Sequence, residues 1–256
     1  MKIFASVAAV AAVLSIVGTA QAQENSAPSL SVTSGVDYSS GDYGTAVDTD
    51  ILVVPVAARL KFGDFRLSAS VPYIRIDGAN IVGGDGDPIV VDPSAPSSRR
   101  SGVGDVTLGA SYAIPEERLG VGLDIGARVK LPTAKDGLGT GETDYTVSAE
   151  ISKTVGNVTP FASVGYRFLG DPPGIDLDDA LFASVGASVL AGRSVVLVSY
   201  DYRQATSPFA ENSQEIFGAY SRPVSDKLNF TLYGSAGLSD GAPDFGAGAM
   251  LTMKLF

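Results

Sequence analysis

A strict alternation of apolar and polar residues runs from Leu119 to Leu131. The odd positions carry Leu, Val, Ile and Ala, and the even positions carry Gly, Asp, Arg and Lys. A period of two places the two sets on opposite faces of a β-strand, whereas a helix would scatter them around its circumference. Since roughly 9 to 11 residues suffice for a tilted strand to cross a bilayer, this stretch predicts a membrane-spanning strand with an apolar outer face.

The same alternation recurs along the chain, separated by turn-forming segments. Short connections near residues 63, 116, 156, 192 and 225 alternate with long loops, among them 75–101. Outer-membrane barrels show this asymmetry, with short periplasmic turns and longer external loops. The sequence therefore predicts an all-β, transmembrane, antiparallel, up-and-down β-barrel with both termini in the periplasm. Its twelve predicted strands are 29–38, 50–62, 65–73, 105–114, 119–131, 144–151, 158–168, 181–189, 196–202, 214–222, 228–236 and 245–256.

The N-terminus has the features of a secretory signal. Lys2 precedes an uncharged run that ends in the small-residue sequence Ala20-Gln21-Ala22, which predicts a signal peptide over 1–22 and a barrel domain over 23–256. Loss of Lys2 with the signal changes the net charge from −10 to −11, and so acidic a chain is a poor partner for nucleic acid. The chain has no cysteine, so it has neither a disulfide framework nor a lipid-attachment cysteine.

A soluble β-sandwich is the main alternative for alternating strands. Its exposed faces would be rich in Lys and Glu, and its apolar faces would pack against each other. The polar positions here are mostly Gly, Ser and Thr with scattered charges of both signs. Tyrosines near the strand ends suit the aromatic girdles of a membrane barrel. These are Tyr73, Tyr112, Tyr145, Tyr166, Tyr202 and Tyr220.

Charged residues in the inward phase are the candidate functional groups, because charges inside a membrane-spanning lumen face water or one another. If Ile114 faces Leu119 across the turn, Asp105 lies opposite Arg128, which predicts a cross-strand ion pair. The inward charges could line a constriction or fill the lumen with salt bridges. The predicted lumen residues are Asp105, Asp124, Arg128, Lys130, Asp144, Arg167, Asp201, Arg203 and Glu215.

A second inward group is basic. The Gly63-Asp64 turn sets Lys61 opposite Arg66, with Arg59 close by. Like charges in direct opposition are costly unless they are hydrated or bound to anions. We therefore expect a positive vestibule at the periplasmic mouth.

Catalysis is not expected. Without His or Cys, the chain can form neither a Ser-His-Asp or Cys-His arrangement nor a His-ligated metal centre. The stretches GVGDVTLG and GLGTG do not open a helix, as a nucleotide-binding motif must. The acidic loops match no complete cation-binding pattern, so a hydrated surface is favoured over Ca²⁺ or Mg²⁺ shared with lipopolysaccharide. No cofactor or resident metal is predicted.

Three segments resemble a known family. They are SGVGDVTLGASY at 101–112, VKLPTAKDGLGTGETDY at 129–145 and TPFASVGYRFLG at 159–170. They are similar to outer-membrane transporters named for the meta pathway of phenol degradation. The resemblance implies a barrel that passes small, often aromatic or hydrophobic compounds.

Two hypotheses follow for the function. The first is an outer-membrane channel for passive passage of small molecules through a narrow lumen. The second is a structural or surface-interaction barrel with a plugged lumen and acidic external loops. Both place the mature chain in the bacterial outer membrane with lipid, lipopolysaccharide and the barrel-assembly machinery as partners, and neither names a solute or decides whether the 75–101 loop is a plug.

Overall fold

The computed structural model describes residues 27–45, 47–82, 88–92, 97–135 and 137–256. The predicted signal peptide lies outside these residues. The elements are β1 (Ser29–Gly41), β2 (Thr49–Phe62), β3 (Phe65–Gly78), β4 (Asn80–Val82), β5 (Ile89–Asp92), β6 (Ser98–Val103), β7 (Val106–Ile114), α1 (Glu116–Leu119), β8 (Gly122–Leu131), β9 (Asp144–Ser152), β10 (Val158–Phe168), β11 (Ala180–Ala191), β12 (Ser194–Arg203), β13 (Ser213–Pro223), β14 (Leu228–Gly237) and β15 (Phe245–Lys254).

The sheet closes on itself. Neighbouring strands pair antiparallel in chain order, and β1 pairs with both β2 and β15. Both β6 and β7 pair with β3, β6 with its C-terminal half and β7 with its N-terminal half. They therefore share one position in the ring, interrupted at Gly104 and Asp105. The described chain thus forms a twelve-stranded antiparallel barrel, as the alternation predicted, and β4 and β5 form a separate hairpin.

The two ends of the barrel differ in their connections. One end, the short-turn end, carries the tight turns at Gly63 and Gly192, and the longer connections gather at the other, the loop end. Ser29 pairs with Lys61, and Ser31 pairs with Lys254. The first and last strands of the barrel therefore begin and end at the short-turn end.

The outer wall is apolar all the way round. Each of the twelve strand positions presents a large aliphatic side chain that is 39 to 56% exposed on the outside. Such a surface on a closed ring has no second sheet to pack against, which excludes the sandwich. These residues are Val36, Val56, Leu67, Leu108, Ile125, Val147, Val164, Val185, Val198, Ile216, Leu232 and Leu251.

Several predicted boundaries were wrong, and two of them bear on the lumen. The 75–101 segment is not all loop, because β3 continues to Gly78 and pairs with β6. The fifth barrel strand begins at Gly122 instead of Leu119, because residues 116–119 form the helical turn α1, which Gly120 ends with a φ of 74° and an N–H bond to the Glu116 carbonyl. Among the described residues, no helix is long and apolar enough to cross a membrane.

Candidate functional site

The lumen near the loop end holds an apolar cluster. Its buried members come from inward positions of two neighbouring strands and from three loops, and Ala134 and Ala210 pack against them from loop segments. This cluster was not predicted from the sequence. It consists of Tyr43, Ile51, Val53, Ile74, Ile76, Ala79 and Leu138.

The cluster forms because the inward face of β2 and β3 is locally apolar. Residues 51–56 are apolar without interruption, so Ile51 and Val53 point inward while Leu52 and Val54 point outward. That loss of alternation is the signal that could have revealed the cluster. The Tyr43 ring, whose hydroxyl bonds Ser39 Oγ at 3.1 Å, folds inward from the β1–β2 loop. Burial raises the pKa of Tyr43 above its usual value, so the phenol stays neutral.

Asp105 holds the 132–141 loop against the barrel wall. Its side chain is completely buried, at the point where the chain leaves the sheet between β6 and β7. Its Oδ1 accepts hydrogen bonds from the backbone N–H groups of Thr133, at 2.8 Å, and Ala134, at 2.7 Å. A carboxylate that accepts backbone N–H bonds makes stronger bonds than a neutral acceptor. Leu138, in the same loop, is thereby anchored in the apolar cluster.

A buried ionic network adjoins this loop. Lys130 Nζ lies 3.4 Å from Asp105 Oδ2 and 3.0 Å from Asp144 Oδ2, and it donates to Thr140 Oγ1 at 3.1 Å. Arg167 Nη2 lies 3.3 Å from the same oxygen of Asp144. All four charged groups are at most 10% exposed. We call Asp105, Lys130, Asp144 and Arg167 the loop-end network.

The predicted ion pair between Asp105 and Arg128 was wrong in its register. Ile114 pairs with Leu123, so Arg128 faces Gly109, and the cation beside Asp105 is Lys130. The register differs because the helical turn α1 includes Leu119, which was predicted to begin the strand.

Three further predicted lumen residues form a second group. Asp201 and Glu215 are directly opposite each other on β12 and β13. Arg203 Nη2 lies 3.3 Å from Glu215 Oε1, which also accepts from Ser213 at 3.1 Å. Ser199 Oγ donates to Asp201 Oδ2 at 2.8 Å. Each carboxylate thus has hydrogen-bond donors of its own.

A third polar contact crosses three strands and was not predicted. Tyr233 donates its hydroxyl proton to Asp37 Oδ2 at 2.7 Å. Gly248 pairs with Asp37 on one side and with Tyr233 on the other. A side chain at Gly248 would overlap the Tyr233 ring, so the glycine allows that ring to lie across the strand. Both partners of this bond are buried.

The short-turn end of the lumen is open and basic. It contains a cavity of about 500 Å³ whose walls include Arg59, Lys61 and Arg66. Lys61 and Arg66 are opposite each other, as the turn predicted. Asp124 lies near this end of the barrel, where it accepts a hydrogen bond from Arg66. Glu150, directly opposite Asp124 on β9, also belongs to this region and was not predicted.

The described residues contain no cluster of three or more Asp or Glu side chains arranged to hold a metal ion. The carboxylates of Asp105, Asp144, Asp201 and Glu215 lie beside Arg, Lys, hydroxyl or backbone N–H groups.

Comparison with solved structures supports the architecture. The chain is similar to the crystal structure of an outer-membrane channel from Pseudomonas putida F1, with a TM-score of 0.72, 14% identity and coverage of 92% of this chain and 98% of that one. It is also similar to the translocator domain of the autotransporter NalP from Neisseria meningitidis, with a TM-score of 0.53, 12% identity and coverage of 96% and 97%. At these identities the likeness concerns the fold, which is that of outer-membrane barrels.

A search of curated proteins found no match to the sequence. A family profile matches residues 15–255, which is nearly the whole chain. The motifs at Gly104-Asp105, Leu131-Pro132-Thr133 and Gly137 to Gly141, which carried the resemblance, meet at the Asp105 carboxylate. This outer-membrane β-barrel therefore belongs to the family described as "Putative MetA-pathway of phenol degradation".

Proposed function

We propose that the protein is a channel for passive passage of small molecules across the bacterial outer membrane. Its short turns, the start of β1 and the end of β15 face the periplasm, and its longer loops face outward. One observation supports this function above the others: the loop end is filled by segments that fold in from loops, while the short-turn end is an open cavity. A closure made of loops can move without breaking the hydrogen bonds of the barrel wall.

The residues predicted to form a constriction fit this function. The loop-end network and the apolar cluster together narrow the passage beside the 132–141 loop. Ile51, Val53 and Leu138 are buried while the loop is in place. When the 132–141 loop moves aside, they would contact the aromatic or aliphatic part of a small solute, and its polar part would face Lys130. We infer that such mixed solutes pass more readily than strongly hydrated ions, which gain nothing from an apolar wall.

Conductance in planar lipid bilayers tests the channel function. Purified protein should give discrete current steps in KCl, and proteoliposomes should take up a small neutral aromatic alcohol faster than empty vesicles. A variant in which Leu138 is replaced by Ala should give larger or more frequent steps. Protein that inserts and folds, as judged by heat-modifiable migration in electrophoresis, but gives neither current nor uptake would refute the proposal.

The buried pairing of charges in the loop-end network favours a second candidate, a surface-interaction barrel with a permanently plugged lumen. Exposed Asp176 and Asp178 in the β10–β11 loop would then contact lipopolysaccharide through divalent cations, or contact a partner protein. This function predicts no conductance, even when the 132–141 loop is released. The same bilayer experiment therefore separates the two candidates.

A further inference from the structure

The open cavity at the short-turn end is strongly biased toward positive charge. Six cationic side chains and a single carboxylate, that of Asp226, line its wall. The remainder of the polar wall is built mostly of small hydroxyl side chains and Asn229. The cationic residues are Arg59, Lys61, Arg66, Arg193, Lys227 and Lys254.

Internal carboxylates lie beside only part of this group. Asp124 is hydrogen-bonded to Arg66, and Asp226 comes within 4.0 Å of Arg193. Among the described residues, no carboxylate lies within 4.0 Å of the ammonium groups of Lys61, Lys227 or Lys254. Within the described ranges, three lysines thus lie around one cavity with no carboxylate beside their ammonium groups.

The lysines are close enough to act together. Lys61 on β2 pairs with Ser29 on β1, and Lys254 on β15 pairs with Ser31 on the other side of β1. Two inter-strand spacings of about 4.8 Å separate β2 from β15, and the lysines are offset by two residues, about 7 Å, along the strands. The two lysine backbones are therefore roughly 12 Å apart. Lys227 is adjacent to Lys254, whose N–H donates to the Lys227 carbonyl at 2.8 Å. The span suits one anion with several oxygens.

The wall between the lysines is suited to oxygen ligands. Ser29, Ser31 and Thr33 present hydroxyls to the cavity from β1. Directly beside them, Lys61 faces Arg66 across the β2–β3 turn, an opposition of like charges that costs free energy unless an anion or water lies between them. A bound anion would relieve this repulsion, and the serine hydroxyls could donate hydrogen bonds to it.

We propose that this cavity is a binding site for small oxyanions, and in particular for organic anions with two or more carboxylates. The binding site stands on its own geometry. Its use during transport rests on the proposed channel function and applies to solutes that carry carboxylates on an aromatic or aliphatic part. Neutral molecules of the same size should bind weakly or not at all, since the apolar share of this wall is broken up by charged and hydroxyl groups.

Isothermal titration calorimetry on the detergent-solubilised barrel tests binding directly, with citrate as probe and glycerol as neutral control. The double variant Lys61→Gln, Lys254→Gln should bind citrate on the order of tenfold more weakly than the wild type. Lys153→Gln is the matched control, because Lys153 is an exposed lysine in the β9–β10 turn and does not line the cavity. Raising the salt concentration should weaken binding by screening.

Two outcomes would overturn the site: wild-type protein that binds no citrate at millimolar concentration, or equal affinities in the double variant and the Lys153→Gln control. Heat-modifiable migration establishes that each variant is folded. Binding without conductance would refute the channel and leave the site intact. Conductance without citrate binding would refute the binding site and leave the channel intact, so the failures of the two proposals are distinguishable.

Discussion

Replacement of Asp105 by Ala gives the most direct test of how the loop end is closed. In the wild type, one carboxylate oxygen accepts the backbone N–H groups of Thr133 and Ala134, and the other lies 3.4 Å from Lys130. The side chain is fully buried, so no water can replace it without a change in the loop. The substitution removes all three interactions together.

The size of the effect follows from these contacts. A hydrogen bond to a charged group contributes about 1.5 to 3 kcal/mol, so two such bonds contribute at least about 3 kcal/mol to holding the loop. Since about 1.4 kcal/mol corresponds to a factor of ten, we expect the Thr133 and Ala134 amides to exchange with solvent roughly 100-fold faster in Asp105→Ala. Asp105→Asn retains an acceptor oxygen but loses the charge. The exchange rates of these amides in Asp105→Asn should therefore lie between those of the wild type and those of Asp105→Ala.

Hydrogen exchange read by mass spectrometry on peptides covering 131–141 measures this change, and bilayer conductance on the same preparations measures its consequence. Asp176→Ala is the matched control, because Asp176 is an exposed loop carboxylate for which we expect no effect on exchange. If exchange in 131–141 is unchanged in Asp105→Ala, the carboxylate does not hold the loop. If exchange rises but conductance does not, the loop is not the closure.

Three further predictions concern the barrel itself. Tyr233→Phe leaves the buried Asp37 carboxylate without its 2.7 Å donor. The free energy of unfolding, measured by urea titration of vesicle-reconstituted protein, should fall by about 1 to 3 kcal/mol. An unchanged unfolding midpoint would contradict this prediction. Leu138→Ala should cost about 2 to 5 kcal/mol of local stability, seen as faster exchange in 137–141 and not in β14. Val185→Lys places a charge on the outer wall in the middle of β11 and should lower the free energy of unfolding by about 2 to 4 kcal/mol if that wall faces lipid. The control Val155→Lys, in the short turn after β9, should lower it little. Equal effects of the two substitutions would refute the assigned lipid-facing band.

Most of the architecture was predictable because a period of two is a local property. The bounds of β10 matched the prediction at both ends, and those of β9 and β14 differed by one residue at a single end. The opposition of Lys61 and Arg66 was predictable too, since a two-residue turn fixes the register of its hairpin. The error at β8 has the same origin, because the alternation of Leu119 to Val121 continued into a segment that forms a helical turn.

The interior was predicted less well, because contacts there join residues far apart in sequence. The inward-facing positions of the alternation identified Lys130, Asp144 and Arg167 as lumen residues, but the alternation could not show that they form one network with Asp105. Nor could it show that Leu138 joins Ile51 and Val53 in one buried cluster, since that depends on how a glycine-rich loop bends.

The sequence by itself determined the number of strands, the apolar outer wall and the basic character of the short-turn end. Each of these follows from which residues alternate and where the turns fall. The tertiary structure alone decided which charges are partners, where the loops enter the lumen and which end remains open. These features depend on the closure of the ring, which brings β1 beside β15 and gathers the loop residues Tyr43, Leu138 and Ala210 at one enclosed cluster.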